Sequence, residues 1–176
     1  MRKLVADLLM LAREESQTIE RARVDLSAVC ERALARVRQE DSHELEDQIE
    51  TGIVVLGDGE RLDQMVGNLL DNAVQYTPRE GTVALGLHRS NGRAQLEVRD
   101  TGPGMKAHEI EHVFERFYRG ESARASRPAG TGLGLAIVKY VAEAHGGTVS
   151  VVSVPDDGTK FVVDIPIPAD HEARPA

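Results

Sequence analysis

Asn68 and Asn72 stand four residues apart in the stretch LDQMVGNLLDNAVQY, where Leu62, Met65, Val66, Leu69, Leu70 and Ala73 mark one face of a helix. Asparagine is a mediocre helix former, because its amide competes for the backbone. At this spacing the two amides share a helix face, one turn above the other, and so suggest a site. A carboxylate comes next. Asp100 opens DTGPGM directly after a strand-like run. An ionised carboxylate only accepts hydrogen bonds, so it suits a ligand's amino group, such as the exocyclic amine of adenine. Gly102 and Gly104 let the backbone approach a flat ligand; a plain Asp-Gly turn also accounts for these residues. The third stretch is GTGLGLAIVKY, in which Gly130, Gly132 and Gly134 alternate before an apolar helix begins. A glycine-rich turn opening a helix offers phosphate free N–H groups and the helix dipole. The pattern is neither Gly-x-Gly-x-x-Gly after a strand nor Gly-x-x-x-x-Gly-Lys-Ser/Thr. Between the last two lies VFERFYRGESARASRPAG, with Phe114, Phe117, Tyr118 and the arginines Arg116, Arg119, Arg124 and Arg127. Alone, it reads as a solvated loop anchored by its aromatics. Beside a phosphate site it reads as a lid with charged fingers.

Several elements must hold these groups in place. Residues 1–20 read as a helix, with Leu4, Leu8, Leu11 and Glu15 at near-heptad spacing. Val24 to Leu26 suit a short strand, and Ser27 a helix cap, with the helix running to about Gln39. The apolar run Ile53 to Leu56 reads as a strand ended by Gly57-Asp58-Gly59, after which the asparagine helix starts and runs towards Pro78 and Gly81. Val83, Leu85 and Leu87, then Ala94, Leu96 and Val98, alternate on either side of Asn91-Gly92, a strong hairpin signal. A helical segment and loop are expected from about Lys106 to Ala129, a second helix from Thr131 to about His145 ended by Gly146-Gly147, and a last hairpin turning at Pro155-Asp156-Asp157-Gly158. Irregular alternation of helices and hairpins predicts an α+β sandwich, with helices on one face of a mixed, largely antiparallel sheet.

Composition narrows the class. A chain of 176 residues with 41% hydrophobic and 28% charged content suits one soluble domain with a short appendage. One cysteine, Cys30, cannot form an internal disulfide, which favours a reducing compartment. No apolar run reaches the roughly 18 residues of a membrane span, although the domain could belong to a membrane protein. A net charge of −8 argues against nucleic-acid binding.

The order of the motifs is more specific than any one of them. Over about Val24 to Pro168 the chain resembles the ATP-binding catalytic domain of bacterial sensor histidine kinases. NLLDNAVQYTP is similar to the family's N box, DTGPGM to its first glycine box, VFERFYRG to its F box, and GTGLGLAIVKY to its second glycine box. The opening helix resembles the end of the family's dimerisation helix. The resemblance implies a two-layer α/β sandwich of the Bergerat type: residues 1–20 as dimerisation helix and linker, 21–168 as the ATP-binding domain, and 169–176 as a disordered tail. It implies ATP and Mg²⁺ as ligands, with Asn72 as the metal ligand and Asn68 lining the phosphate and metal site. Asp100 would accept from the adenine amine, Gly102 and Gly104 would let the base lie close, and Tyr76 would pack near the nucleoside. Arg119 would lie near the terminal phosphate. Gly130, Thr131, Gly132, Leu133 and Gly134 would form the lid hinge and the phosphate-facing helix start. Asn68, Asn72 and Arg119 are the catalytic candidates. The implied partners are a histidine-bearing dimerisation domain and a response regulator, with the parent a homodimer in the inner membrane and this domain in the cytoplasm.

One departure from the family and one contrast with its relatives matter. Gln75 stands where the family usually has Lys or Arg, and Arg124 or Arg127 could compensate from the lid. Gyrase-like, chaperone and mismatch-repair ATPases, and serine-phosphorylating anti-sigma kinases, have a glutamate at the position of Asn68. An asparagine there cannot act as a general base, and Asp71 is turned about 100° round the helix from Asn72. Phosphoryl transfer is therefore favoured over hydrolysis, with ATP hydrolysis, serine phosphorylation or a nucleotide-binding regulatory module as alternatives. The acceptor histidine of the family lies in a box with a proline. His43 in SHELEDQIE lacks that proline and falls inside the catalytic domain, so it is not the expected acceptor. His88, His108, His112, His145 and His171 read as structural or exposed.

Overall fold

The computed structural model describes residues 21–40, 43–120 and 131–169. The expected opening helix of residues 1–20 and the last residues, 170–176, lie outside that range. Strand β1 (Ala22–Asp25) leads directly into helix α1 (Leu26–Glu40). Leu26, Val29, Cys30, Ala33 and Leu34 recur on one helical face, and all are buried. The cap is Asp25 rather than Ser27: its Oδ1 accepts from the Ala28 N–H at 3.1 Å. Ser27 is drawn away by the chain that crosses the start of α1. Its Oγ donates to the Glu50 carbonyl at 2.7 Å and accepts from the Ile53 N–H at 3.0 Å.

Strand β2 (Glu44–Ile49) was not expected from the sequence. It is an edge strand with only Leu45 and Ile49 turned towards the core, and acidic residues occupy most other positions. Strand β3 (Val54–Gly57) pairs antiparallel with β1 in a separate two-stranded sheet. Helix α2 (Gly59–Tyr76) is the asparagine helix. The Asp58 carboxylate caps it, accepting from the N–H groups of Glu60 and Arg61. Leu62, Met65, Val66, Leu69, Leu70 and Ala73 are all buried, as their spacing predicts. The Thr77 hydroxyl donates to the Ala73 carbonyl at 2.7 Å, and Pro78 prevents continuation.

Strands β4 (Thr82–Ser90) and β5 (Arg93–Asp100) form the predicted hairpin, with Asn91 and Gly92 both at positive φ, as a type I′ turn requires. Of the helical segment expected after Lys106, the structure has one short helix, α3 (Ala107–Ile110), followed by turns. Residues 121–130 lie outside the described range. Helix α4 (Gly134–Ala144) is followed by β6 (Thr148–Ser153) and β7 (Thr159–Pro166). Gly146, at φ +70°, ends α4. Its N–H bonds to the Glu143 carbonyl and that of Gly147 to the Ala142 carbonyl, the two bonds of a Schellman motif.

The main sheet has the order β2-β4-β5-β7-β6, antiparallel except between β2 and β4. One row of the core, Ile49–Leu87–Leu96–Val163–Val149, crosses all five strands in register. Helices α1, α2 and α4 pack together on that apolar face. The result is the expected α+β two-layer sandwich with a mixed, mostly antiparallel sheet.

Candidate nucleotide site

Helices α2 and α4 lie side by side and antiparallel, and the site is where α2 outruns α4. The Asn68 amide nitrogen donates to the carbonyl of Gly134, the first residue of α4, at 3.4 Å. Asn68 is buried there at 7% exposure. Asn72, one turn further, is half-buried and lies about 6 Å along the axis beyond that contact. Tyr76 ends the same helix, also half-buried. The two asparagines therefore differ: Asn68 ties the helices together, and Asn72 stands past the start of α4. The N-cap residue Leu133 makes no side-chain cap bond, and the Thr131 hydroxyl accepts from the Leu133 N–H at 3.4 Å; the N–H groups of the first turn of α4 have the anion-binding character of a helix N-terminus.

Asp100 ends β5 at 4% exposure. It accepts from the Gly102 N–H at 2.9 Å and from the Thr159 backbone. Burial raises its pKa above the usual carboxylate value, against the pull of those two bonds. The loop after it is closed by the protein's own backbone. A Cβ on Gly102 would come within 2.8 Å of both the Tyr76 carbonyl and the Asp100 carboxylate. Gly104, at φ +65°, lies hard against the Val154 carbonyl. The glycines thus have a structural reason: they join the end of α2 to the β6–β7 turn beside Asp100.

Two polar residues on that turn escaped the sequence reading. Ser153 Oγ accepts from the Met105 N–H at 2.9 Å, donates to the Gly158 carbonyl at 2.8 Å, and lies 2.9 Å from the Thr159 hydroxyl. Thr159 is buried and pairs with Asp100 across β5 and β7. Its place after Gly158 at a strand start was a local signal. Its neighbour Asp100, 59 positions earlier, was not visible without the sheet register.

Phe114 anchors the aromatic segment, its ring 6.1 Å from that of Phe161 in an edge-on contact. Phe117 is different: it is 62% exposed, at φ +64°, and its N–H donates to the Gly132 carbonyl at 2.9 Å. Gly132, at φ +69°, backs on to Phe117 and Tyr118 so closely that a Cβ would approach their backbone to 2.7–2.9 Å. The aromatic segment and the glycine turn therefore meet back to back, with Arg119 half-buried beside them. Thr131 is exposed and Leu133 fully buried. Gly130, Arg124 and Arg127 lie outside the described residues. His43, the discounted acceptor, is part-buried with Nε2 2.9 Å from the Thr77 carbonyl.

The sequence pattern of the histidine kinase-, DNA gyrase B-, and HSP90-like ATPase family matches residues 57–169. The chain belongs to this family. Its similarity runs towards the sensor kinases within it. The signal transduction histidine-protein kinase/phosphatase MprB of Mycolicibacterium smegmatis is 42% identical over 150 residues, covering 84% of this chain and 30% of that protein. The chain thus spans under a third of the length of that curated relative. Among solved structures, a mycobacterial sensor histidine kinase MprB is 38% identical with a TM-score of 0.76, covering 83% of this chain and 98% of that one. Full-length ShkA, solved in complex with AMPPNP, is 30% identical with a TM-score of 0.77, covering 94% of this chain and 35% of that one. This ATPase-family domain is therefore an ATP-binding catalytic domain of the sensor histidine kinase type. Among its described residues no helix is long and apolar enough to cross a membrane.

Proposed function

We propose that this domain binds Mg-ATP between the end of α2, the start of α4 and the Asp100 loop, and transfers the γ-phosphoryl group to a histidine on a dimerisation domain. A response regulator would then receive it. Asp100 would take the adenine amine and thereby select against guanine, whose carbonyl would face a carboxylate. The burial of Asp100 supports this, because a desolvated acceptor gains most from an added donor. Tyr76 would flank the nucleoside. The open first turn of α4, with Gly130, Thr131 and Gly132 before it and Arg119 beside it, would hold the phosphates.

The donor set fits Mg²⁺ bound largely through nucleotide oxygens. Among the described residues no three His, Cys, Asp or Glu side chains are grouped to hold an ion, whereas Asn72 offers one neutral oxygen, which suits a hard cation. When bound, the ion would supply charge neutralisation at the phosphates. The observation that carries the choice of transfer over hydrolysis is Asn68. Its amide is engaged with Gly134 and has no basicity to activate water. Asp71, the nearest carboxylate in sequence, is exposed in the groove between α1 and α2 that Arg36, Asp63 and Asn68 also line.

By the same reading residues 1–20 end a dimerisation helix, 21–168 form the catalytic domain, and the parent protein is a homodimer at the inner membrane with this domain in the cytoplasm. The test follows γ-labelled Mg-ATP with this chain alone, then with a histidine-bearing dimerisation domain added. Reversible binding alone, followed by label on the added domain, is the expected result. Steady multiple-turnover release of phosphate would overturn the transfer reading in favour of an ATPase. Asn72→Ala should abolish the Mg-dependent part of binding; unchanged Mg-ATP affinity would remove Asn72 as metal ligand.

A further inference from the structure

Away from the nucleotide site, at the opposite end of the helix pair, His145, Asp58, Arg61 and Tyr140 form a linked polar cluster. His145 follows the last turn of α4 and is buried at 6% exposure. Its Nδ1 lies 2.7 Å from the Val141 carbonyl, and its Nε2 3.0 Å from the Asp58 N–H. A carbonyl can only accept and an N–H can only donate, so the ring is neutral, with its proton on Nδ1. The ring occupies the space a Cβ on Gly57 would need, 2.1 Å from Cδ2. Beside it, Arg61 Nη1 donates to the Tyr140 hydroxyl at 2.9 Å, and the guanidinium sits 5.9 Å from the centre of the Tyr140 ring. Arg61 Nε lies 3.3 Å from Asp58 Oδ2.

These contacts and the Asn68 contact obey one register. Moving up α2, Asp58, Arg61 and Asn68 meet His145, Tyr140 and Gly134 moving down α4. The span from Asp58 to Asn68 is about 15 Å and that from Gly134 to His145 about 16.5 Å at the helical rise, so the tied points match along both helices. The height of the α4 start relative to Asn72 is thus set from the far end. A shift of one helix along the other would have to break the His145 and Arg61 ties together.

We propose that His145, with Asp58, Arg61 and Tyr140, is a positioning latch that fixes the register of α4 on α2 and thereby the spacing between the phosphate-facing helix start and the metal-binding amide of Asn72. This deepens the Mg-nucleotide reading and rests on it. Protonation of His145 at Nε2 removes the acceptor for the Asp58 N–H, so the latch loosens in acid. The charged groups acting on the ring are Asp58 and Arg61 from α2 and Arg21 from the segment before β1; the first favours the charged ring and the two arginines oppose it.

The test titrates the whole chain with Mg-AMPPNP, and separately with adenosine, which reports the Asp100 pocket alone. His145→Phe, which keeps a ring but neither polar atom, should weaken Mg-AMPPNP binding roughly three- to tenfold at about pH 8 and leave adenosine binding within about twofold. His145→Gln, whose amide oxygen can accept from Asp58, should restore most of that affinity. As pH falls from about 8 through the lowered value of His145, on the acid side of the ordinary 6.5, the wild type should lose more Mg-AMPPNP affinity than His145→Gln, which does not titrate. A folded His145→Phe that binds Mg-AMPPNP as the wild type does, or that loses adenosine equally, would overturn the latch. Should that variant fail to fold, Tyr140→Phe, which loses only the hydroxyl, decides: a selective loss of Mg-AMPPNP affinity supports the latch, and unchanged affinity overturns it. A wild-type chain that binds no Mg-AMPPNP would instead remove the nucleotide reading and the latch with it.

Discussion

The two ends of helix α2 hold buried titratable groups under opposite terms. At its start, His145 accepts from the Asp58 N–H, which requires a neutral Nε2, and donates to the Val141 carbonyl; burial outweighs that second bond and lowers its pKa. At its finish, Asp100 sits in the core edge with two backbone donors that do not fully offset its desolvation, and its pKa is raised. One end is satisfied by the protein itself. The other leaves a buried acceptor with capacity for one more donor, which is what a ligand amine would provide. Closure at one end and open capacity at the other let a single helix pair serve both as scaffold and as site.

The largest expected effect breaks the scaffold common to both ends. Leu62 is fully buried one turn above Asp58. Leu62→Ala should cost about 2–5 kcal/mol, from lost transfer energy and the cavity left behind. Denaturant unfolding reads it directly. The ATP-over-GTP preference of the surviving folded protein should not change, since Leu62 lies near the start of α2, the end away from Asp100.

Asp100→Asn acts on the open end alone. Losing the charged acceptor should weaken ATP binding by about 1.5–3 kcal/mol, the scale of a hydrogen bond to a charged group. The preference for ATP over GTP should shrink with it, because a side-chain amide can donate to the guanine carbonyl. Calorimetric titration with both nucleotides checks this, and an undiminished preference would remove Asp100 from base selection.

Acid should separate the two ends by sign. The folded pKa of His145 lies below its ordinary value of 6.5, so the unfolded chain takes up the proton first. Its contribution is fully present above about pH 6.5 and lost as pH falls from there towards the folded value. Asp100 runs the other way. Its folded pKa lies above the ordinary 3.8, so its contribution is fully present below that value and is lost as pH rises through the folded value. Unfolding free energies of the wild type and His145→Gln, measured from about pH 8 to pH 5, should converge in acid as the wild type loses its advantage. Parallel curves would mean that His145 does not titrate on unfolding.

This contrast was only half legible in the sequence. The open end was readable because its parts are local: two asparagines on one face, an aspartate after a strand, glycines before a helix. The hairpin at Asn91-Gly92 and the core face of α2 were readable for the same reason. What failed was non-local. His145 and Asp58 are 87 residues apart and meet only once α2 and α4 align. Thr159 meets Asp100 only through the β5–β7 register. Strand β2 was missed because an edge strand can be mostly acidic and still pair. Asp25 displaced Ser27 as the cap because Ser27 had a long-range partner. The local pattern could state which side chains suit a cap, and the tertiary contact decided which one was free to do it.

The smallest effect lies on the α1 side of α2, between its ends. Arg36 and Asp63 form a two-pronged ion pair, with contacts of 3.1 and 2.9 Å, but their side chains are 50% and 31% exposed. Solvent screens such a pair, and a double-mutant cycle on Arg36→Ala and Asp63→Ala should give a coupling of only about 0.2–1 kcal/mol. It should decline as salt is raised, since the charges are open to counterions. Mg-ATP affinity should be the same in both variants, because the pair bonds neither the latch nor Asp100, although its groove is also lined by Asn68. A change in Mg-ATP affinity larger than the coupling energy would instead place α1 among the elements that set the register, and the division of α2 into a closed and an open end would have to include its middle.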